Sequence, residues 1–226
     1  GQWLQVWGPG KNVNNDLHWE KAKNWNIGID FSLLNNRISG SFNYYNRIQQ
    51  DLLGDYNVPV PPYLHSTTFV NVGTMKNSGF EFDFIVSAIQ LKDFDYSIDV
   101  VGATMNNKFV DFSNSDYVGQ DYYDMVETSD PYPLYTLQRI SAGERIGNFY
   151  MWKYAGIDKN GNFMIYDREG NIKPAANGTN DDKQIVGNGL PKFTASMTHN
   201  FHWRNWDLSI FFRGAFGYDI FNIHDF

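Results

Sequence analysis

Apolar and polar residues alternate with a period of two over stretches long enough to cross a bilayer, and this alternation constrains the chain more than any other feature. In residues 19–33 the odd positions carry Trp25, Ile27, Ile29, Phe31 and Leu33, while the even ones carry Glu20, Asn24, Asn26, Gly28, Asp30 and Ser32. A period of two is the side-chain repeat of a β-strand, whereas a helix repeats every ~3.6 residues. After Asn35-Asn36, residue types that tolerate positive φ, the pattern resumes. Ile38, Phe42 and Tyr44 oppose Arg37, Ser39, Ser41, Asn43 and Arg47, which makes a hairpin with one apolar face. The unit recurs at Phe80, Phe82, Phe84 and Val86, then, past Leu91-Lys92-Asp93, at Phe94, Tyr96, Ile98 and Val100. It recurs again at Phe193, Ala195, Met197, Phe201 and Trp203, then, past Arg204-Asn205, at Trp206, Leu208, Ile210 and Phe212. Three hairpins give six long strands.

The connections within hairpins are short, but those between them are about 20 residues (50–69) and about 80 residues (108–191). Ordinary connections are shorter than ~15 residues. Short turns at one end, long loops at the other, strands of roughly ten residues and an apolar exterior make the pattern of an outer-membrane β-barrel. Residues 25–33 rise roughly 27 Å along a strand, or a little over ~20 Å of depth at a tilt of about 40°. Trp203 and Trp206 flank one short turn and Phe94 and Tyr96 follow another, where amphipathic rings sit at headgroup level. The alternative is a soluble β-sandwich that binds carbohydrate through the same aromatics. Sandwich strands, however, are usually about 5 or 6 residues long, with connections of about 2 to 6.

Composition removes other classes. With 18 Lys+Arg against 25 Asp+Glu and a net charge of −7, there is no basic surface for nucleic acid, so none is expected as a partner. Without cysteine there is neither a disulfide framework nor a thiolate zinc site. No apolar run approaches the ~18 residues of a membrane helix, a test to which barrel strands are blind. Gly1-Gln2-Trp3-Leu4 has neither an initiator Met nor the pattern of a signal peptide, so a mature or excised segment is expected. Six strands cannot close a bacterial barrel, which needs at least ~8, so the chain is expected to be part of something larger or to assemble.

Particular residues point further. Asn15-Asp16-Leu17-His18-Trp19-Glu20-Lys21, Trp25-Asn26-Ile27-Gly28-Ile29-Asp30-Phe31, Asn35-Asn36-Arg37-Ile38-Ser39-Gly40-Ser41 and Tyr44-Tyr45 come first. Asp51-Leu52-Leu53, Val58-Pro59-Val60-Pro61-Pro62 and Asn71-Val72-Gly73-Thr74-Met75-Lys76-Asn77-Ser78-Gly79-Phe80-Glu81 follow in order. Ile185-Val186-Gly187-Asn188, Pro191-Lys192-Phe193, Asn205-Trp206-Asp207-Leu208-Ser209, Phe211-Phe212 and Gly214 complete the series. Over nearly its whole length the chain thus resembles the SusC/RagA family of TonB-linked outer-membrane transporters. The resemblance implies an all-β, antiparallel transmembrane segment from the later part of a barrel of about 22 strands that encloses a plug. Residues 1–226 would then be a partial barrel domain, without the plug, the TonB box, the early strands or the final strand, and Phe226 would not be the barrel's terminal aromatic. It further implies an importer of oligosaccharides or peptides in the outer membrane of a Gram-negative, Bacteroidota-like bacterium. Its partners would be a SusD-like surface lipoprotein, the lipid of the membrane, and TonB through the absent N-terminal part.

Candidate chemistry is sparse, and no cofactor is expected. Asp158, Asn160 and Asn162, with Glu169 at the twelfth place, resemble a calcium loop, but Phe163 stands where the sharp turn needs glycine. An Asn-Gly hairpin is the simpler reading. Glu81 with Asp83, and Asp95 with Asp99, are paired carboxylates of the kind used in acid–base catalysis. A wetted lumen wall accounts for them without it, and no enzyme is expected. His199 and His202 differ in parity, so they point to opposite faces and cannot ligate one metal. No nucleophile constellation, phosphate loop or dinucleotide motif is present: residues 73–79 and 187–189 have the wrong glycine spacing. The long loop carries Tyr117, Tyr122, Tyr123, Tyr132, Tyr135, Phe149, Tyr150, Trp152 and Tyr154. Of these, Tyr122, Tyr123, Tyr150 and Trp152 are candidate contacts to ligand or lipoprotein, since aromatic rings stack on sugars and anchor interfaces. Packing of the loop onto itself is the alternative.

Overall fold

The computed structural model describes residue 8 and residues 10–114, 116–127 and 136–222; Gly1 to Leu4, Tyr132, Tyr135 and Phe226 lie outside this set. Along the chain the strands are β1 (Lys21–Leu33), β2 (Ile38–Gln50), β3 (Leu53–Asn57), β4 (Thr67–Asn71), β5 (Thr74–Gln90), β6 (Phe94–Thr104), β7 (Asn106–Asp111), β8 (Tyr122–Glu127), β9 (Thr136–Ser141), β10 (Asn148–Met151), β11 (Lys153–Ile157), β12 (Phe163–Tyr166), β13 (Ile172–Pro174), β14 (Gln184–Asn188), β15 (Phe193–Trp203) and β16 (Trp206–Phe216). The six expected long strands form one antiparallel sheet in the order β1-β2-β5-β6-β15-β16. β7 continues the line of β6 against β5 in unchanged register, after an interruption at Met105, whose N–H donates to the Lys192 carbonyl at 3.0 Å.

All three short turns lie at one end of this sheet. Leu34, Asn35 and Asn36 take φ of 53°, 55° and 66°, as the Asn-Asn pair led one to expect, and Leu34 joins them. Arg204, at φ 54°, makes the two-residue turn between Trp203 and Trp206. These turns are bonded to their neighbours: Arg204 N–H donates to the Asp93 carbonyl at 3.0 Å and Ser87 N–H to that of Arg37 at 2.8 Å.

Register carries the alternation across the whole sheet. One row reads Phe31, Gly40, Phe84, Val100, Met197, Phe212; the row one residue behind it reads Asp30, Ser41, Asp83, Val101, Ser196, Arg213 and faces the other way. On the apolar face Trp25 meets Tyr44 (ring centroids 5.2 Å apart), Tyr44 meets Phe80 (4.9 Å) and Phe193 meets Phe216 (5.9 Å), forming a belt at the long-loop end. At the short-turn end Tyr96 stacks on Phe201 at 4.5 Å, beside Trp203 and Trp206. Between the belts the ring of Phe82 lies across Gly102 and that of Phe84 across Gly40, so closely that a Cβ at either glycine would meet the ring.

The buried core lies elsewhere. Among the described residues the buried hydrophobic side chains are Tyr56, Val70, Val72, Phe112, Leu137, Tyr150 and Ile165, all at the long-loop end. Ile27 and Ile29, in contrast, are 66% and 65% exposed, and Trp206 is 75% exposed. Each such side chain is worth about 1.5–3 kcal/mol when removed from water. A soluble sandwich would cover this face with a second sheet; among the described residues nothing covers it.

The segments read as loops are also structured. The first excursion holds the β3–β4 hairpin, which runs on to Asn71 and packs around Tyr56, Val70 and Val72, while residues 108–191 hold a four-stranded sheet, β14-β10-β9-β8, and a three-stranded one, β11-β12-β13. No helix among the described residues is long and apolar enough to cross a membrane, which says nothing of strands.

Candidate functional site

The polar face of the long sheet and the strands above its long-loop end are the two surfaces where function-bearing residues gather. On the polar face the paired carboxylates are spread across a hydrogen-bonded wall. Asn200 Nδ2 donates to Asp99 Oδ2 at 3.2 Å, and Ser209 Oγ donates to Asn200 Oδ1 at 2.9 Å. Glu81 and Asp83 share a strand face, with Asn43 and Ser41 opposite. The two histidines separate as parity requires. The Tyr96 hydroxyl and His199 Nδ1 share a hydrogen bond of 2.7 Å on the apolar face, whereas His202 Nδ1 lies 2.7 Å from Asp207 Oδ1 on the polar one.

At the long-loop end Tyr122 and Tyr150 come together around a residue that the sequence did not single out. The Arg139 guanidinium sits 3.6 Å from the Tyr122 ring centroid and 4.0 Å from that of Tyr150. Its Nε donates to Asp124 Oδ1 at 2.6 Å and its Nη2 to Oδ2 at 2.9 Å, a two-point pairing across β8 and β9. Burial works against the charge, but the Asp124 carboxylate outweighs it and holds Arg139 above its ordinary pKa. Tyr150 is 9% exposed and its hydroxyl accepts from Arg168 Nη2 at 2.6 Å, so one ring face and the hydroxyl are already engaged. Tyr123, the next residue along β8 from Tyr122, borders a cleft with Tyr56, Phe109, Phe112 and Ile140. Trp152 donates from Nε1 to the Thr179 carbonyl at 2.7 Å and lies against Gly178 and Ile165. The most exposed aromatics of strands β8 to β14 are Tyr154 and Phe163, with ring centroids 6.3 Å apart.

Asp158, Asn160 and Asn162 form the turn between β11 and β12, and Glu169 belongs to the following turn, between β12 and β13. The two turns repeat one unit, Asp158-Lys159-Asn160-Gly161-Asn162 and Asp167-Arg168-Glu169-Gly170-Asn171, with Gly161 and Gly170 both at φ 87°. In the first, Asp158 Oδ1 accepts from Asn160 N (2.8 Å) and Asn162 N (2.9 Å), and Oδ2 accepts from Asn162 Nδ2 (3.0 Å). In the second, Asp167 accepts from Asn171 N at 2.7 Å and Nδ2 at 3.1 Å. The Asn162 and Asn171 bonds hold both carboxyls below the usual carboxylate range. The oxygens a cation would need are thus occupied by the turn itself. Among the described residues no group of three or more His, Asp or Glu is gathered as a metal site.

Asp182 fastens this three-stranded sheet from below. Its carboxylate pairs with Lys173 Nζ at 2.7 Å and accepts from Thr179 N at 2.7 Å and Thr179 Oγ1 at 2.9 Å. The Lys173 bond, then the Thr179 backbone N–H, lower its pKa to about 2. A lowered folded-state pKa contributes stability above the unfolded value, near 3.9, and that contribution is lost as pH falls toward 2. Amide exchange in β12 and β13 is therefore expected to accelerate between about pH 4 and pH 2, and in D182N the acceleration should vanish because exchange is fast throughout. A wild-type exchange profile independent of pH over that window, once corrected for intrinsic rates, overturns the assignment.

Comparisons with known proteins agree with this geometry. Residues 5–222 match the family model described as TonB dependent receptor-like, beta-barrel. TonB-dependent receptor P3 of Formosa agariphila is 30% identical over 231 residues, covering 93% of this chain and 22% of that protein. TonB-dependent receptor SusC of Bacteroides thetaiotaomicron is 30% identical over 213 residues, covering 91% and 20%. The solved structure of the RagAB peptide transporter superposes with a TM-score of 0.72 at 25% identity, over 90% of this chain and 22% of that one. In its open-open state the corresponding importer reaches 0.77, at 24% identity and 92% coverage of this chain. The chain spans about a fifth of the length of the curated relatives it matches. An antiparallel sheet with one uncovered apolar face, short turns at one end and structured excursions at the other, matched by the family model over residues 5–222, belongs to the TonB-dependent receptor β-barrel family.

Proposed function

We propose that these residues form part of the barrel wall of an outer-membrane importer that takes up oligosaccharides or peptides by TonB-dependent transport, together with a SusD-like surface lipoprotein. The observation that carries this reading is the uncovered apolar face of the six-stranded sheet, a surface suited to lipid and backed by a polar one suited to a lumen. One similar structure is that of a peptide transporter, which supports peptides as a cargo class, and a Bacteroidota-like source is consistent with receptors of Formosa agariphila and Bacteroides thetaiotaomicron among the relatives. The chain contributes wall and loops and no catalytic residue, and TonB acts through other segments of the complete receptor. The candidate contacts to cargo or lipoprotein are Tyr122, Tyr123, Tyr150 and Trp152. The first and third are held against the Arg139 guanidinium.

Two measurements test the reading. This stretch has no cysteine, so Lys159→Cys in the complete receptor places a single thiol of this stretch in the turn between β11 and β12. A maleimide that cannot cross the membrane should label it in intact cells as fully as after lysis; protection until lysis inverts the topology. Cells with the complete receptor should take up a labelled oligosaccharide or peptide that cells lacking the receptor or TonB do not. Uptake unchanged by both deletions, across the panel of both cargo classes, overturns the importer.

A further inference from the structure

Just beyond the loop-end aromatic belt, one hydrogen-bonded row on the apolar side of the sheet changes character. Lys23 of β1 is opposite Ile48 of β2, Ile48 is opposite Lys76 of β5, and Lys76 is opposite Lys108 of β7. Parity puts all four side chains on the face of Trp25, Tyr44 and Phe80, and the row lies two residues, about 6.6 Å of strand, past Trp25. All three lysines are exposed. Lys76 and Lys108 are a direct cross-strand pair of like charges, about 5 Å apart, an arrangement that weakens a sheet unless something neutralises it. Nothing among the described residues does. Among the described residues none of the three ammonium groups lies within 4.0 Å of a carboxylate, although nearby Lys21 has Asp51 at 2.8 Å. Arg145 stands opposite Lys108 and extends the row with a fourth positive charge, its Nε and Nη1 without acceptors. This accumulation belongs to a chain of net charge −7, so it is not a by-product of a basic composition.

From this row we infer a binding site for the phosphate groups of an anionic glycolipid in the outer leaflet, with Lys23, Lys76 and Lys108 as its ligands. The inference rests on the membrane reading above, which puts the apolar face in lipid and the long-loop end outside. Under that reading the lysines stand at headgroup depth, one step beyond the rings that mark the edge of the hydrocarbon. Each ammonium offers three donors to phosphate oxygens, and the anion relieves the repulsion between Lys76 and Lys108. The apolar band beneath, from Trp25 to Ile29 on β1, lies against the acyl chains of the same lipid. The occupant is thus amphiphilic: phosphate above, hydrocarbon below.

The test uses the complete receptor, purified in mild detergent, with diphosphoryl lipid A and its dephosphorylated form as probes. Each lysine near an anionic headgroup contributes about fivefold to affinity, so K23Q/K76Q/K108Q should bind the diphosphoryl form on the order of a hundredfold more weakly than wild type. The dephosphorylated form should bind both proteins alike, and K23R/K76R/K108R should retain wild-type affinity. Heat-modifiable gel migration establishes that each variant is a folded barrel. An affinity of the Gln variant within about threefold of wild type, or equal wild-type affinity for the two probes, overturns the site. A wild-type receptor that stays dispersed without detergent overturns the membrane reading itself, a separate outcome.

Discussion

Ile29→Arg in the complete receptor should lower the stability of the folded barrel by about 2–4 kcal/mol, whereas Asn26→Arg should lower it far less. Both residues are on β1 and both are exposed, so burial within the chain does not distinguish them. What does is the face. Ile29 lies opposite Phe42, which lies opposite Phe82, in the middle of the apolar band; Asn26 lies opposite Tyr45, on the polar side. A guanidinium at the first position must be stripped of water or must thin the bilayer around it, and the polar wall presents neither cost. Denaturant-driven unfolding of the two variants in lipid vesicles measures the difference, and equal losses would refute the assignment of faces.

Expressed alone, residues 1–226 should give aggregates or detergent-dependent oligomers and no uptake. β1 is bonded on one side only, to β2, and β16 on one side only, to β15, within the described residues. In hydrocarbon each unpaired N–H or C=O costs several kcal/mol, and only closure or a partner strand removes that cost. In water the open edges and the uncovered apolar face both favour association. Size-exclusion chromatography with light scattering reports the outcome. A compact monomer in plain buffer, or TonB-dependent uptake by this piece alone, would sink the view that it is one part of a barrel wall.

What was legible in the sequence was what repeats. Trp25 to Leu33, Phe80 to Val86 and Phe201 to Trp203 carry the alternation because one lipid-like environment acts on every second residue, and the positive-φ Asn35-Asn36 turn follows from residue type. The strands above the sheet were not legible. β10, β12 and β13 are four, four and three residues long, too short for a period to declare itself, and their neighbours are set by distant pairing. Arg139 was missed for the same reason. Its role depends on Asp124, 15 positions away, and on a ring in β10, and nothing local marks it. The calcium-like spacing of Asp158 to Glu169 spans two copies of a five-residue turn, and the hydrogen bonds from Asn162 and Asn171 show that each carboxylate closes its own turn.

The unequal lengths of the two excursions set an order of assembly. β1 with β2, β5 with β6 and β15 with β16 are hairpins that close locally. To join β2 to β5 the chain must close the loop of residues 51–73, and to join β6 to β15 it must close residues 105–192. Loop-closure entropy rises with the logarithm of length, so the second junction costs about 1 kcal/mol more than the first and has over three times as much chain to carry past the sheet before it can form. β1, β2, β5 and β6 are therefore expected to zip as a unit to which β15 with β16 adds afterwards, which makes the seam between β6 and β15 the last within this wall to close.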